Sequence, residues 1–325
     1  MRFYDARAIE AAVPIGELLD AVEAAYRDVA AGRDHSPLRV HVPLPNGDLL
    51  LMPGVREDAA GSSVKLVTFL PFNAERGLPT IHAVVVWFDA ETGEPQAVLD
   101  GGSLTKMRTG AASGVGTRLL ARADSAVLAL LGTGAQAAWQ VRAVMAARRI
   151  EEVRVFSRAA RTRERFAAEM AGELGAGIRV IAASSAEEAV DGADVVCCAT
   201  TSIEPVFDVE ALRPGAHVNG VGAFRLGMVE LPPALFARAS VVAVDARAAA
   251  LAEAGDLVAA ISAGLLPADG FVEIGTIGRE WAAARDPEAI TVFKSVGLAI
   301  QDVAAAELVV RRATAGGNSP SGAAG

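Results

Sequence analysis

Between Ala126 and Asp245 the chain alternates short apolar, β-type runs with stretches in which apolar residues recur at helical spacing. The runs are Ala126–Leu131, Val153–Phe156, Ile178–Ile181, Val195–Cys198, Val218–Val221 and Val241–Val244. A strand buried on both faces needs such a run, and the intervening helices supply its cover. The pattern predicts an α/β, doubly wound domain around a parallel sheet. The residues before it read differently. A helix over Pro14–Ala31 precedes strand-like segments at Arg39–Pro43, Asp48–Met52, Ser63–Phe69 and Ala83–Asp89, with turn signals at Asn46-Gly47 and Thr92-Gly93. That order predicts a hairpin-based α+β domain. A helix rich in small residues runs from Ser103 to about Ala121, and Val292–Arg311 reads as another long apolar helix. The expected division is 1–120 with 295–325 for the α+β domain and 121–294 for the α/β domain. A Gly/Ser/Ala tail from about 316 is expected to be disordered.

Composition narrows the class. Of 325 residues, 52% are hydrophobic and 21% charged, enough apolar material for large cores and unlike a disordered chain. The formal charge of −9 argues against a nucleic-acid binder, which needs a cationic face. No uncharged apolar run reaches the roughly 18–20 residues of a membrane-spanning helix. The start, Met1-Arg2-Phe3-Tyr4-Asp5, lacks the apolar core of a secretory leader. The two cysteines, Cys197 and Cys198, are adjacent and cannot form an ordinary disulfide with each other, so a reducing cytoplasm is the expected location. His35, His41, His82 and His217 show no metal-site spacing, and no G-x-S-x-G elbow occurs; neither a metal nor a covalent nucleophile is expected.

The sharpest motif is Gly132-Thr133-Gly134-Ala135-Gln136-Ala137, a G-x-G-x-x-A directly after a predicted strand and opening a predicted helix. Gly132 permits the tight turn, Gly134 lets a pyrophosphate approach the backbone, and the helix N-terminus supplies free N–H groups and positive dipole. Where an NAD site carries a carboxylate for the ribose 2′-hydroxyl, at the end of the second strand, the chain has Ser157-Arg158, followed by Arg161 and Arg163. A guanidinium there suits a 2′-phosphate, so NADPH is the expected coenzyme, with NADH less favoured. Thr200 and Thr201 fall at the end of the fourth strand, where this fold brings a dinucleotide against the sheet.

Three cations outside the α/β part stand in unusual settings. Arg39 follows Pro37-Leu38, Lys65 is flanked by Val64 and Leu66, and Arg108 lies in Leu104-Thr105-Lys106-Met107-Arg108-Thr109. Singly, each fits a surface ion pair; together they suit a carboxylate clamp.

At these residues the sequence resembles the ornithine cyclodeaminase/μ-crystallin family over nearly its whole length. The matching pieces are Leu38-Arg39-Val40, Leu51-Met52-Pro53, Val64-Lys65, Gly77-Leu78-Pro79-Thr80, the Leu104–Ala112 segment, the G-x-G turn and Phe293-Lys294-Ser295-Val296-Gly297. The resemblance implies a homodimer joined through the N-terminal domains, with the last helix returning to that domain. It implies that Arg39, Lys65 and Arg108 hold a substrate carboxylate, that Thr80, Ala135, Gln136 and Ser295 contact the dinucleotide, and that Val296 lines the substrate pocket.

Two departures refine the expected activity. Where cyclodeaminase-like members carry a proton-handling aspartate, in the Gly222–Arg225 segment, this chain has Phe224, and a phenyl ring transfers no proton. Where those members carry a glutamate before Leu-Met-Pro, it has Leu50. Both changes fit the ketimine-reductase branch, although that branch often continues Pro-Asp where this chain has Leu226-Gly227. The expected reaction is reduction of a small cyclic ketimine acid, Δ1-pyrroline-2-carboxylate or Δ1-piperideine-2-carboxylate, to L-proline or L-pipecolate. Lys65 is the first candidate for proton supply and His82 the second. An alanine dehydrogenase, an ornithine-cyclising lyase and a coenzyme-dependent binding protein stay open as alternatives. Ser157-Arg158 counts against the first, Phe224 and Leu50 against the second, and the three cations against the third.

Overall fold

The computed structural model describes residues 1–315; the tail expected from about 316 lies outside the described residues. The chain forms two compact units, one of Met1–Arg108 with the chain from Leu298, the other of Thr109–Gly297.

Among the described residues, the first unit is built on a sheet of six strands: β1 (Arg2–Tyr4), β2 (Val40–Leu44), β3 (Gly47–Gly54), β4 (Gly61–Phe69), β5 (Ile81–Asp89) and β6 (Pro95–Asp100). Their spatial order is β1-β6-β5-β4-β3-β2. All neighbours are antiparallel except β1 and β6. Helix α1 (Ile15–Ala30) buries Leu18, Leu19, Val22 and Tyr26, one face at 3.6-residue spacing. It packs against the C-terminal helix (Ala299–Ala315), which lies on β3, β4 and β5. Among the described residues of this unit, these helices cover one face of the sheet. Along β4, Ser63, Lys65 and Val67 are buried, whereas Leu66 is exposed. Register carries the alternation across the sheet. Lys65 lies opposite Met52 and Val85 on the covered face, while Leu66 lies opposite Leu51 and Val84 on the other.

The second unit begins within helix α2 (Gly101–Leu120). Its eight strands are β7 (Val127–Leu131), β8 (Glu152–Phe156), β9 (Arg179–Ala182), β10 (Val195–Cys198), β11 (His217–Gly220), β12 (Ala239–Val244), β13 (Val272–Glu273) and β14 (Ile290–Lys294). All pair in parallel, in the order β13-β12-β14-β11-β10-β7-β8-β9. This is the doubly wound arrangement the periodicity predicts. Helices α3 (Ala137–Ala147) and α4 (Ala160–Leu174) follow β7 and β8. From β7 the chain first winds through β8 and β9, then returns to place β10 on the other side of β7. The order thus reverses between β7 and β10, and in such sheets the crevice at that reversal is where ligands bind.

One sequence expectation is corrected. Val292–Arg311 is not a continuous helix: Val292-Phe293-Lys294 ends β14, a strand between β11 and β12, and the helix starts at Ala299. The two are separated by a turn over residues 295–297 held by one carboxylate oxygen, Asp245 Oδ2. It accepts from Ser295 Oγ at 2.9 Å and from the N–H groups of Val296 and Gly297 at 2.8 and 2.7 Å.

Candidate active site

The first unit gathers its three singled-out cations electrostatically. Lys65 is 1% exposed and Arg108 6%, in positions where an unpaired charge is costly. Both face Asp302, a fully buried residue in the first turn of the C-terminal helix. Lys65 Nζ donates to Asp302 Oδ2 at 2.7 Å, and Arg108 Nε donates to Oδ1 at 3.2 Å. Arg108 Nη1 donates to Gln301 Oε1 at 3.1 Å, and Gln301 Nε2 donates to the Tyr26 hydroxyl at 2.5 Å. Arg39 is half-buried immediately before β2. Continuing the β2–β3 register by one residue puts it across from Met52, whose other neighbour is Lys65.

These neighbours compete over the Lys65 proton. Burial is the largest effect and lowers its pKa; the Arg108 charge lowers it further, the Asp302 charge and hydrogen bond raise it, and Arg39 lowers it. The outcome is a lysine brought down from 10.5 to about 7. Such a group gives up and regains a proton near neutrality. Its bond to Asp302 uses one of three ammonium N–H groups, so the pairing does not exhaust its donors.

His82 is separated from this cluster. It lies on β5 three residues from Val85, the partner of Lys65, and strand alternation sends it to the opposite face, where it is exposed. The sequence expectation that His82 is the second proton donor is corrected accordingly. Conversely, Asp302 and Gln301 went unnoticed in the sequence. The signal for them was present: a buried lysine and arginine require a buried acid, and Asp302 stands one turn after the Lys294–Gly297 motif. Thr80 belongs to the first unit, just ahead of β5, where its carbonyl accepts from Leu70 N at 2.8 Å.

In the second unit the G-x-G turn follows β7 at the topological reversal. Gly132 has φ +105°, and a Cβ built there would stand 2.6 Å from the Ala199 carbonyl oxygen, so only glycine fits. Gly134 and Ala135 are exposed, and a Cβ on Gly134 would point into open space. No side chain caps α3, whose N-cap is Gln136, and Gln136 Oε1 is buried without a hydrogen-bond partner. An uncapped helix start and open space above Gly134 fit a dinucleotide pyrophosphate at this turn, while the orphaned amide oxygen, an acceptor, suits a donor such as a ribose hydroxyl. At the end of β8, Thr133 Oγ1 donates to Ser157 Oγ at 3.0 Å. Arg158 and Arg161 are exposed, while Arg163 lies over the Phe156 ring at 5.6 Å and donates to the Ser157 carbonyl at 3.1 Å. Arg163 thus supports the turn.

Thr200, half-buried, follows β10, and Thr201 beside it is exposed. Ser295 is engaged by Asp245 and so shapes the turn that also buries Val296. Phe224 is half-buried with the Arg225 guanidinium 5.3 Å from its ring centre. The buried thiols are unsuited to nucleophilic work: burial pushes Cys197 up to about 12 and raises Cys198 as well. His217 is held neutral, its pKa lowered to about 3 by burial, between Thr291 and Asn219. Among the described residues no cluster of His, Cys, Asp or Glu suits a metal, and no helix is long and apolar enough to cross a membrane.

Comparison with known proteins adds an independent observation. The model of the "Ornithine cyclodeaminase/mu-crystallin family" matches residues 2–317. A Delta(1)-pyrroline-2-carboxylate reductase of Bacillus cereus is 39% identical over 305 residues, 93% of each chain. The structure of Thermococcus litoralis Delta(1)-pyrroline-2-carboxylate reductase in complex with NADH and L-proline superposes with a TM-score of 0.91, at 34% identity over 98% of both chains. An archaeal alanine dehydrogenase dimer with bound NAD gives 0.87 at 31% identity, over 98% of this chain and 97% of that one.

Proposed function

The chain belongs to the ornithine cyclodeaminase/mu-crystallin family, and from that premise we propose that this oxidoreductase reduces a small cyclic ketimine acid with NADPH. The substrate is Δ1-pyrroline-2-carboxylate or its six-membered homologue, and the product L-proline or L-pipecolate. The observation that carries the reading is the buried Lys65, held near 7 between Arg108 and Asp302.

Arg39 and Arg108 bind the substrate carboxylate by charge-assisted hydrogen bonds, each contributing about 1.5–3 kcal/mol, and so fix the neighbouring C2. Lys65 donates a proton to the ring nitrogen, because a protonated imine is the better hydride acceptor. Gly132, Gly134, Ala135, Gln136, Ser157, Arg158, Arg161, Thr200 and Thr201 would hold the coenzyme, which when bound would supply the hydride. The C=N double bond becomes CH–NH, with one hydride and one proton consumed. Orientation of this kind removes up to about 7–11 kcal/mol from a barrier. Phe224 offers no proton acceptor for an amino group, which supports reduction over ammonia-releasing cyclisation.

NADPH over NADH rests on Ser157-Arg158, where no carboxylate stands to repel a 2′-phosphate. The Thermococcus relative carries NADH in its structure, so the choice belongs to this chain's own residues. Two copies join through the uncovered face of the six-stranded sheet. Phe3, Val40, Val42 and Leu66 are exposed there, an apolar surface wider than scattered single side chains. The alanine dehydrogenase relative is a dimer. A reducing cytoplasm suits the two free, buried thiols.

The test is oxidation of NADPH and of NADH by each cyclic imine, with pyruvate plus ammonia and ornithine as controls. NADPH consumption matched by L-proline or L-pipecolate is expected. Activity only with pyruvate and ammonia, or ammonia release from ornithine, overturns the reading.

A further inference from the structure

The loops after β10 and β11 are tied together by a single side chain that no part of the proposed chemistry uses. The last ladder bonds of these strands are Ala199 N to Leu131 O at 2.9 Å and Val221 N to Cys198 O at 3.0 Å. The next donor on each strand turns instead to Glu230: Thr200 N donates to Oε1 at 2.6 Å and Gly222 N to Oε2 at 2.8 Å. The backbone joins in, with Val206 N donating to Glu230 O at 3.0 Å and Val229 N to Ser202 O at 3.1 Å. The loops are pressed close, since a Cβ on Gly222 would collide with the Thr200 carbonyl and with Glu230 itself.

The carboxylate is fully buried, and so are the two charges beside it, Lys294 and Asp256. Lys294 Nζ pairs with Asp256 Oδ2 at 3.2 Å and donates to the Ala223 carbonyl at 2.7 Å, gripping the same loop from the other side. A buried set of three charges costs desolvation that a well-packed apolar cluster avoids, so its retention calls for a reason beyond stability. Its place in the sheet supplies one. The G-x-G turn and Ser157 lie at the ends of β7 and β8, on one side of the reversal in strand order; Thr200 and Gly222 lie on the other. A dinucleotide whose pyrophosphate rests at the turn, with its adenosine half toward Ser157, extends its nicotinamide half across β10 and β11.

We propose that Glu230, backed by Lys294 and Asp256, is a positioning residue that sets the spacing of the Thr200 and Gly222 loops and thereby the seat of the nicotinamide ring. This rests on the reading of the second unit as a coenzyme site. Glu230 touches neither substrate nor coenzyme; it acts through the two backbone N–H groups it accepts from and through the loop carrying Ala223 and Phe224.

Glu230→Gln is the informative change, because an amide offers one oxygen and turns its NH2 group toward the other N–H donor. The full-length protein is titrated with NADPH, followed by nicotinamide fluorescence, and with 2′,5′-ADP, which occupies only the adenosine half, followed by calorimetry. The expected result is NADPH affinity weakened about tenfold or more in Glu230→Gln, with 2′,5′-ADP affinity unchanged within about twofold. Glu230→Asp, which keeps the charge but shortens the reach, shows the same selective loss and stands in if the glutamine variant does not fold. Equal weakening of both ligands, or of neither, overturns the inference while leaving the coenzyme site in place. A wild-type protein that binds neither ligand overturns the coenzyme reading and this inference with it.

Discussion

Lys65 and Asp302, 237 positions apart in sequence, meet at 2.7 Å inside the first unit, on a strand and a helix packed against each other. The pair is not a simple structural bridge. Asp302 also accepts from Arg108, so one carboxylate stands against two cations, with a third charge, Arg39, near enough to lower the lysine pKa. On the proposed function, the substrate carboxylate binds beside these cations.

Replacing Arg108 with alanine removes a carboxylate donor while leaving the G-x-G turn untouched. The expected result is a fall in kcat/KM of about 10- to 100-fold or more, corresponding to about 1.5–3 kcal/mol, with NADPH affinity unchanged. Steady-state kinetics and coenzyme titration on the same preparation check it; unchanged kinetics would remove Arg108 from the substrate site.

A proton-donating Lys65 makes kcat/KM fall as pH rises through about 7. A bound carboxylate adds negative charge beside the ammonium and raises its pKa, so the limb in kcat lies at higher pH than the limb in kcat/KM. Asp302→Asn removes an influence that raises the Lys65 pKa and moves the kcat/KM limb toward acid. It also destabilises the fold by about 3–5 kcal/mol, since it leaves buried cations uncompensated. Because an unfolded lysine titrates near 10.5 and the folded one near 7, the folded chain binds fewer protons between those values. Stability from this group therefore rises with pH across that window, whereas activity falls. Parallel pH profiles of rate and of urea unfolding separate the two.

Arg158 distinguishes the coenzymes. Arg158→Ala is expected to weaken NADPH binding about fivefold to tenfold and to leave NADH binding unchanged, because only the former carries the 2′-phosphate. Fluorescence titration with both coenzymes decides; equal effects would mean that the guanidinium does not meet the phosphate.

Leu66→Glu places a charge on the uncovered face of β4, away from Lys65 by strand alternation. Sedimentation is expected to show a dimer for the wild type and a monomer for the variant. A monomeric wild type, or a variant that remains dimeric, would direct the interface elsewhere.

Much of this was legible in the residues, for a reason that also explains the failures. Val195–Cys198 reads as a strand because a strand buried on both faces is an unbroken apolar run. The same full burial concealed β14: Ile290–Lys294 is buried at every position, shows no alternation of its own, and merged with the helix that follows. Its end is set by Asp245, some fifty residues earlier, which local pattern cannot reveal. β1 and β6 escaped notice because one has three residues and the other begins with Pro95-Gln96, both exposed. Lys65 and Arg108 stood out as cations among apolar neighbours, but their partner Asp302 reads as an ordinary acid in a helix's first turn. His82 looked available until register assigned it a face.

On the proposed function, a hydride passes to the carbon beside a carboxylate held by Arg39 and Arg108. This transfer is tested most directly with NADPH dideuterated at nicotinamide C4, incubated with Δ1-pyrroline-2-carboxylate and the protein, and the product analysed by mass spectrometry and NMR. The expected product is L-proline carrying one deuterium at C2 for each NADPH oxidised, with no requirement for ammonia. Unlabelled proline, or label appearing only in alanine when pyruvate and ammonia are supplied, would contradict it.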